Sequence, residues 1–330
     1  MEHFGRAKKD WLKTFLELPG GIPSHDTIGR VFALLAPEQL QHCFIAWINS
    51  LIMAKEGEIV AIDGKTLRRS HDKSRSRRAL HMMSAWAVKQ RVVLGQIRKE
   101  SDSNEAEAIP QLLEILDLKG TTVTIDAAGC YKNIAQRIIS QEADYVLALK
   151  ANQGKLYDTV NDLFTYAQQN HFKHIAHEHW EEMEKDHGRI ETRRYDLIEQ
   201  GEDPRHPNGI RWTGLKGVGR VTSTRQIGDQ ITEEVRFFIT SFGQNIQRFA
   251  EAVRGHWNVE IQLHWSLDVS FQEDLCRVRV GHSAENFAVI RRIALNMLKS
   301  ERSAKIGIAA KRKKAGWDES YLTQVVATLG

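Results

Sequence analysis

The chain has 330 residues, 42% of them hydrophobic, and a net charge of +4; this is enough for about two domains and a sizeable core, and it excludes dominant disorder. Its three cysteines, Cys43, Cys130 and Cys276, are far apart and form no CxxC pair, which argues against a disulfide framework and a thiolate zinc site. No apolar run approaches the ~20 residues of a membrane span, and the N-terminal MEHFGRAKKDWLK is too charged for a signal peptide, so a cytoplasmic protein with no membrane contact is expected.

Residues 7–55 read as helical. In IPSHDTIGRVFALL, Ser24 is the expected N-cap, and Ile28, Val31, Phe32 and Leu35 make an apolar stripe. Pro37 opens a second helix in PEQLQHCFIAWINSLIM. From Glu58 the pattern changes. EIVAIDGKTLRRS begins with four apolar residues, Ile59 to Ile62, the mark of a strand buried on both faces. The strand ends on Asp63, which faces Lys65, Arg68 and Arg69. From Lys65 to Arg78 there are seven basic residues and one acid, a local patch suited to phosphates.

LHMMSAWAV and RVVLGQIRKE read as two strands of a hairpin, and NEAEAIPQLLEILDL as a helix. TTVTID is another buried strand, again ending on an acid, Asp126. YKNIAQRIISQEA is an amphipathic helix and DYVLALK a further strand. Three strands, helix, strand, helix, strand point to an α/β layer fold with a mixed sheet.

After Lys150 the pattern loosens. Residues 152–245 hold one helix (GKLYDTVNDLFTYAQQ), a polar histidine-rich link, a Pro/Gly loop at 201–209 and strands such as EEVRFFITSF; the segment reads as an insertion. The histidines of HFKHIAHEHW, at 171, 174, 177 and 179, fit no common zinc spacing, and a polar surface segment is the better reading. HGRIETRR, with Arg189, is either a DNA-end contact or a plain exposed strand.

Two helical patterns close the chain. The first runs from Asn245 to Trp265 with Phe249, Val253, Trp257 and Ile261 as its apolar stripe. The second, SAENFAVIRRIALNMLKSE, places Phe287, Ile290, Ala294 and Met297 inward and Arg291, Arg292 and Lys299 outward. From Arg291 to Gly330 there are nine basic residues and three acids; KRKK, at 311–314, reads as a solvated basic patch. Trp86 and Trp257 are expected in the core, while Trp180 could stack on an unpaired base.

Asp63 and Asp126 occupy equivalent places. If their strands are parallel neighbours, the two carboxylates lie side by side at one sheet edge. They would repel and raise one pKa, a conflict that a divalent cation removes, and such hard oxygen ligands suit Mg²⁺ or Mn²⁺. The alternative is that each aspartate only caps the next turn. On the later helix, His256, Glu260 and His264 share a face at i, i+4, i+8, with Glu260 at the rim of the core. Asp268 competes for the same role but falls where LDVSF begins to look extended.

Together VAIDGKTLR, VTIDAAGCYKNIA, DYVLALKANQ, HGRIETR, HWNVEIQLHWSLDVSFQED and AENFAVIRRIALNMLK resemble the ISAs-one family of bacterial insertion-sequence transposases, which includes the H-repeat-associated proteins. The resemblance covers most of the chain in order. It implies a DDE transposase with an RNase H-like mixed sheet flanked by helices, an N-terminal helical region, and an insertion between the last core strand and the Glu-bearing helix.

In residue terms it implies a helical part of a DNA-binding region at 1–55, a first catalytic part at 56–151, the insertion at 152–245, and the remaining catalytic helices with a basic tail at 246–330. The implied triad is Asp63, Asp126 and Glu260, holding two Mg²⁺ or Mn²⁺ ions. Lys65, Arg68, Arg69, Arg189, Arg254, His256 and His264 are the expected DNA contacts. The implied partners are double-stranded DNA with terminal inverted repeats, target DNA and further copies of the chain. Related transposases carry a lysine seven residues after the third acid; here that position is Leu267. A nuclease that cuts without joining and a catalytically inactive DNA-binding descendant are the competing readings.

Overall fold

The structure, a computed structural model, describes residues 1–51, 56–71, 78–99, 105–186, 188–200 and 212–328. The Pro/Gly loop at 201–209, residues 72–77 of the basic run and His187 lie outside the described residues.

The N-terminal region is helical: α1 (Glu2–Ala7), α2 (Lys9–Leu12), α3 (His25–Leu34) and α4 (Pro37–Leu51). Ser24 caps α3 by accepting a hydrogen bond from the Thr27 amide. The expected stripe of α3 is only partly covered. Val31 is 55% exposed, while Phe32 stacks on Phe287 at 4.5 Å.

Strands β1 (Ile59–Thr66), β2 (His81–Ala87) and β3 (Val92–Lys99) form an antiparallel meander. Then come α5 (Glu105–Glu114), β4 (Thr122–Ile125), α6 (Lys132–Ser140) and β5 (Asp144–Leu149). β4 pairs parallel with both β1 and β5. The order β3-β2-β1-β4-β5, with β2 running against its neighbours, is that of the RNase H-like fold.

After α7 (Lys155–Gln169), four long strands are added: β6 (His177–Asp186), β7 (Arg189–Glu199), β8 (Gly217–Ile227) and β9 (Gln230–Thr240). They do not form a separate sheet. β9 pairs antiparallel with β5, so the described strands make one nine-stranded sheet, β3-β2-β1-β4-β5-β9-β8-β7-β6. The end of the histidine-rich stretch expected as a link, His177 to Trp180, is therefore part of strand β6. Its alternating charged residues gave no apolar period to announce a strand.

Alternate residues of β5 and β9 feed cores on opposite faces of the sheet. Tyr145, Leu147, Phe237 and Ile239 join the large core. Val146 and Phe238 join Phe249 and Val253 of α8 (Ile246–Val259) on the other face. Beyond α8 a π-helical turn, Glu260–His264, leads directly into α9 (Trp265–Phe271). LDVSF is thus helical, not extended. The π turn adds a residue to the helix and rotates α9 by about 100° relative to a continuous α-helix. Ile261, expected on the buried stripe, is 67% exposed, and Leu263 and Leu267 are fully buried instead.

Helices α10 (Ser283–Ser300), α11 (Ile308–Trp317) and α12 (Glu319–Ala327) complete the fold. Several expectations fail here: on α10 the buried positions include Val289, Leu295 and Leu298, while Phe287, Ile290, Ala294 and Met297 are half-buried. Arg292 is fully buried, bound to Glu273 at 3.0 Å. KRKK is not simply solvated, because Lys311 is buried against Glu301 and Arg312 lies over Phe271. In both cases a distant acid or ring, invisible in a local charge pattern, takes up the cation. Trp86 is fully buried, as expected.

Candidate active site

Parallel register decides the position of the first two acids. Ile59 pairs with Thr122 and Ile62 with Ile125, so Asp63 and Asp126 are the next residues on adjacent strands. β1 itself continues to Thr66 through pairing with β2, which makes Asp63 a residue inside a strand rather than at its end. Gly64 comes next because a side chain there would collide with His81 and Met83; its amide donates to Asp63 Oδ1 at 2.8 Å. Asp126 opens a tight turn and accepts from the Ala128 amide at 3.0 Å.

Both carboxyls hold protons more tightly than usual. Burial pushes Asp63 up to about 7, opposed by the Gly64 amide and reinforced by the charges of Glu260, Asp126 and Glu105. Asp126 is raised by burial and then by Glu105. Glu105, in the first turn of α5, is an acid that sequence reasoning missed. A glutamate opening a helix is too ordinary to signal a site.

Glu260 begins the π turn, with its side chain 73% exposed. His264, buried one turn on, lies between the acids: Nδ1 is 3.6 Å from Asp63 Oδ2 and 3.5 Å from Glu260 Oε2. Ligand atoms of Asp63, Glu260 and His264 lie within 4.8 Å of one another, close enough to hold one metal ion. Burial, then the charges of Arg292 and Lys65, pushes His264 down to about 3, so its ring is neutral. Its Nε2 is buried without a hydrogen-bond partner among the described residues. His256 is likewise pushed down, to about 4, mainly by burial, and its Nδ1 sits 3.1 Å from Thr124 Oγ1. These two histidines face the interior of the site.

A cavity of about 370 Å³ opens beside the acids, lined by Asp63, Asp126, Lys150, Arg236, Trp257 and Glu260 among others. Lys150 was also missed. It succeeds β5 much as Asp126 succeeds β4, and that parallel was the available signal. Trp257 is half-buried under Arg236, whose guanidinium carbon is 4.7 Å from the ring centroid.

The expected phosphate contacts separate into groups. Arg68 is 82% exposed in side chain and touches Asp274 at 3.2 Å; Arg69 is exposed, its carbonyl accepting from Arg279. Lys65 is not on the surface. It is 7% exposed and bound to Asp268 at 2.8 Å and Asp274 at 3.1 Å. That pairing also explains Asp268: it anchors α9 to β1. Arg254 binds Glu184 at 2.6 Å, and Arg189 lies 3.5 Å from Glu191.

Known proteins are similar in sequence to this chain. A family described as the Transposase DDE domain matches residues 54–297, and a family described as associated with it matches residues 1–48. The chain is 40% identical over its whole length to YhhI of Escherichia coli K12, named as a candidate H repeat-associated transposase, covering 87% of that protein. It is also 40% identical to YncI of Escherichia coli O157:H7, named as a candidate transposase, over 99% of this chain and 84% of that one. A piggyBac transposase in a synaptic complex with hairpin DNA aligns over 83% of this chain and 54% of its own at 10% identity, with a TM-score of 0.42, a likeness too low to argue from. No single helix among the described residues is long and apolar enough to cross a membrane. The chain belongs to the DDE transposase family.

Proposed function

We propose that this chain cleaves DNA at the ends of an insertion sequence and joins the freed strand to target DNA, with Asp63, Asp126 and Glu260 as its metal-binding triad. The observation that carries the reading is the parallel register of β1 and β4, which sets two half-buried acids on adjacent strands beside the cavity that Glu260 also lines. The donor set fits Mg²⁺ or Mn²⁺: hard carboxylate oxygens whose mutual repulsion a cation relieves. Divalent ions, two in number, would supply Lewis-acid activation of the attacking oxygen and charge stabilisation at the phosphate.

The chain's own residues do the rest. The Gly64 and Ala128 amides fix the two aspartates, and neutral His264 separates Asp63 from Glu260 without adding charge. Exposed Arg68 and Arg69 hold backbone phosphates near the acids, while Lys65 acts inside the protein, keeping α9 in place. The chemistry is two in-line displacements at phosphorus, by water at the element's end and then by the released 3′-hydroxyl at the target. Bringing two inverted-repeat ends together calls for more than one copy of the chain, acting in the cytoplasm at the nucleoid. In this reading residues 152–245, carrying β6 to β9, extend the catalytic sheet as an arm.

The test is a cleavage and joining assay on end-sequence DNA with Mg²⁺, comparing Glu260→Gln, Asp63→Asn and Asp268→Asn. The first two should bind DNA yet lose about three or more orders of magnitude in cleavage. Asp268→Asn should lose stability rather than chemistry. Cleavage without joining would identify a nuclease, and binding without either would identify an inactive descendant. A triad variant that cleaves normally would refute the assignment. Arg68→Ala with Arg69→Ala should reduce the salt slope of binding by about 0.9 for each phosphate that is no longer held.

A further inference from the structure

We propose that His177, His179 and Asp196 form a further metal site, at the outer edge of the sheet, for a borderline divalent ion of the Zn²⁺ class. A strand's two-residue period puts both histidines on one face of β6. The β6–β7 register sets Asp196 directly opposite His179. The aspartate is the element that histidine spacing alone could not reveal, because it arrives from the neighbouring strand.

The distances suit coordination. His177 Nε2 and His179 Nδ1 lie 3.1 Å and 3.0 Å from the same oxygen, Asp196 Oδ1. The three ligand atoms lie within 4.8 Å of one another. Around an ion with bonds near 2.1 Å, adjacent donors stand about 3.0–3.4 Å apart. The carboxylate is also oriented for the task. Arg220 grips its other oxygen, Oδ2, through Nε at 3.1 Å and Nη2 at 2.8 Å. Arg220 is in turn held by Gln168 at 3.0 Å and lies over the Phe164 ring. Phe172 stacks on the His177 ring at 3.8 Å. Supports of this kind fix ligand orientation around metals.

The Asp196 side chain is 3% exposed, His177 16% and His179 45%. The open side therefore faces water, which would complete the coordination shell. Two imidazoles with one carboxylate favour Zn²⁺, Co²⁺ or Ni²⁺ over Mg²⁺, a preference opposite to that of the acids on β1 and β4. An ion here would pin the edge strand to β7. Between the two histidines, Glu178 accepts from the amides of Asn245 at 2.8 Å and Ile246 at 2.6 Å, so the pinned strand also caps the helix that leads to Glu260.

The experiment is a Co²⁺ titration of the full chain in excess Mg²⁺, monitored by visible absorption, with His179→Ala and Asp63→Asn in parallel. Wild type and Asp63→Asn should each take up about one equivalent. His179→Ala, folded by circular dichroism, should bind at least about tenfold more weakly. Loss of the signal in Asp63→Asn with retention in His179→Ala would place the ion at the catalytic acids and overturn the proposal. So would wild-type protein that binds no Co²⁺ above the Mg²⁺ background.

Discussion

Strands β1 and β4 are buried along their apolar lengths, whereas β6 is mostly exposed and β9 buries only its C-terminal end against the core. In the arm formed by β6 to β9, opposite charges meet across strands: Arg193 with Glu184 at 2.9 Å and Arg194 with Glu181 at 3.2 Å. On β1 and just after β4, acids gather instead, and burial, reinforced by the neighbouring acids, holds the Asp63 and Asp126 carboxyls above the usual carboxylate range. Charge that is compensated locally builds structure. Charge that is left in conflict inside a cavity marks a place for something else to bind.

That contrast can be broken most sharply at the buried ion pair. Arg292→Ala leaves Glu273 charged and enclosed, and should cost about 3–5 kcal/mol in denaturant unfolding. The pair is itself imperfect, since Arg292 Nη2 and Glu273 Oε2 have no hydrogen-bond partner among the described residues. The double replacement Arg292→Met with Glu273→Leu should therefore recover most of the loss.

A slightly smaller effect is expected from pH. Asp63 has its folded pKa raised from 3.8 to about 7, so the metal-free folded state binds the proton more tightly than the unfolded chain. Stability from this group is present below about pH 4 and is lost as pH rises to about 7, by about 2–4 kcal/mol. Melting curves should show Mg²⁺ raising the Tm at pH 8 and hardly at pH 5. Asp63→Asn should flatten both dependences.

Gly64→Ala comes next. The added methyl meets His81, which is held by Thr66 Oγ1 at 2.9 Å, and the crowding should cost about 1–2 kcal/mol by denaturant unfolding. The smallest effect belongs to the arm. Arg194→Ala removes an ion pair whose side chains are 53% and 42% exposed, and should change stability by less than about 0.5 kcal/mol. A loss comparable to that of Arg292→Ala would erase the distinction between the exposed charge pairs of the arm and the buried pair beside the catalytic strands.

The core half of the sheet was legible because its strands are short apolar runs, and the run that ends on Asp63 repeats in the run that ends on Asp126. Register then came from parallel pairing. The arm was legible only in part. β6 reads HEHWEEMEKD, and neither face offers an apolar period, so a strand held by cross-strand ion pairs looked like a link. Arg292 and Lys65 were misplaced for a related reason. Their partners Glu273, Asp268 and Asp274 are supplied by tertiary packing, and a local window shows only the cation. Glu260 could be located by its helix, but the turn that aims it has no residue signature.

The π turn at Glu260–His264 has a consequence for how this sequence can change. Deleting one residue within it would remove the extra residue and restore an ordinary helix, and because about five residues of a π turn sweep nearly the angle of about four α-helical ones, α9 would keep its orientation. Leu267 would stay in its pocket and Asp268 beside Lys65. A substitution that straightened the turn at constant length would instead swing every later side chain by about 100°, acting on the site and the core at once. A library of single-codon deletions across residues 246–271 should therefore yield folded members at the exposed Ile261 rather than within α9.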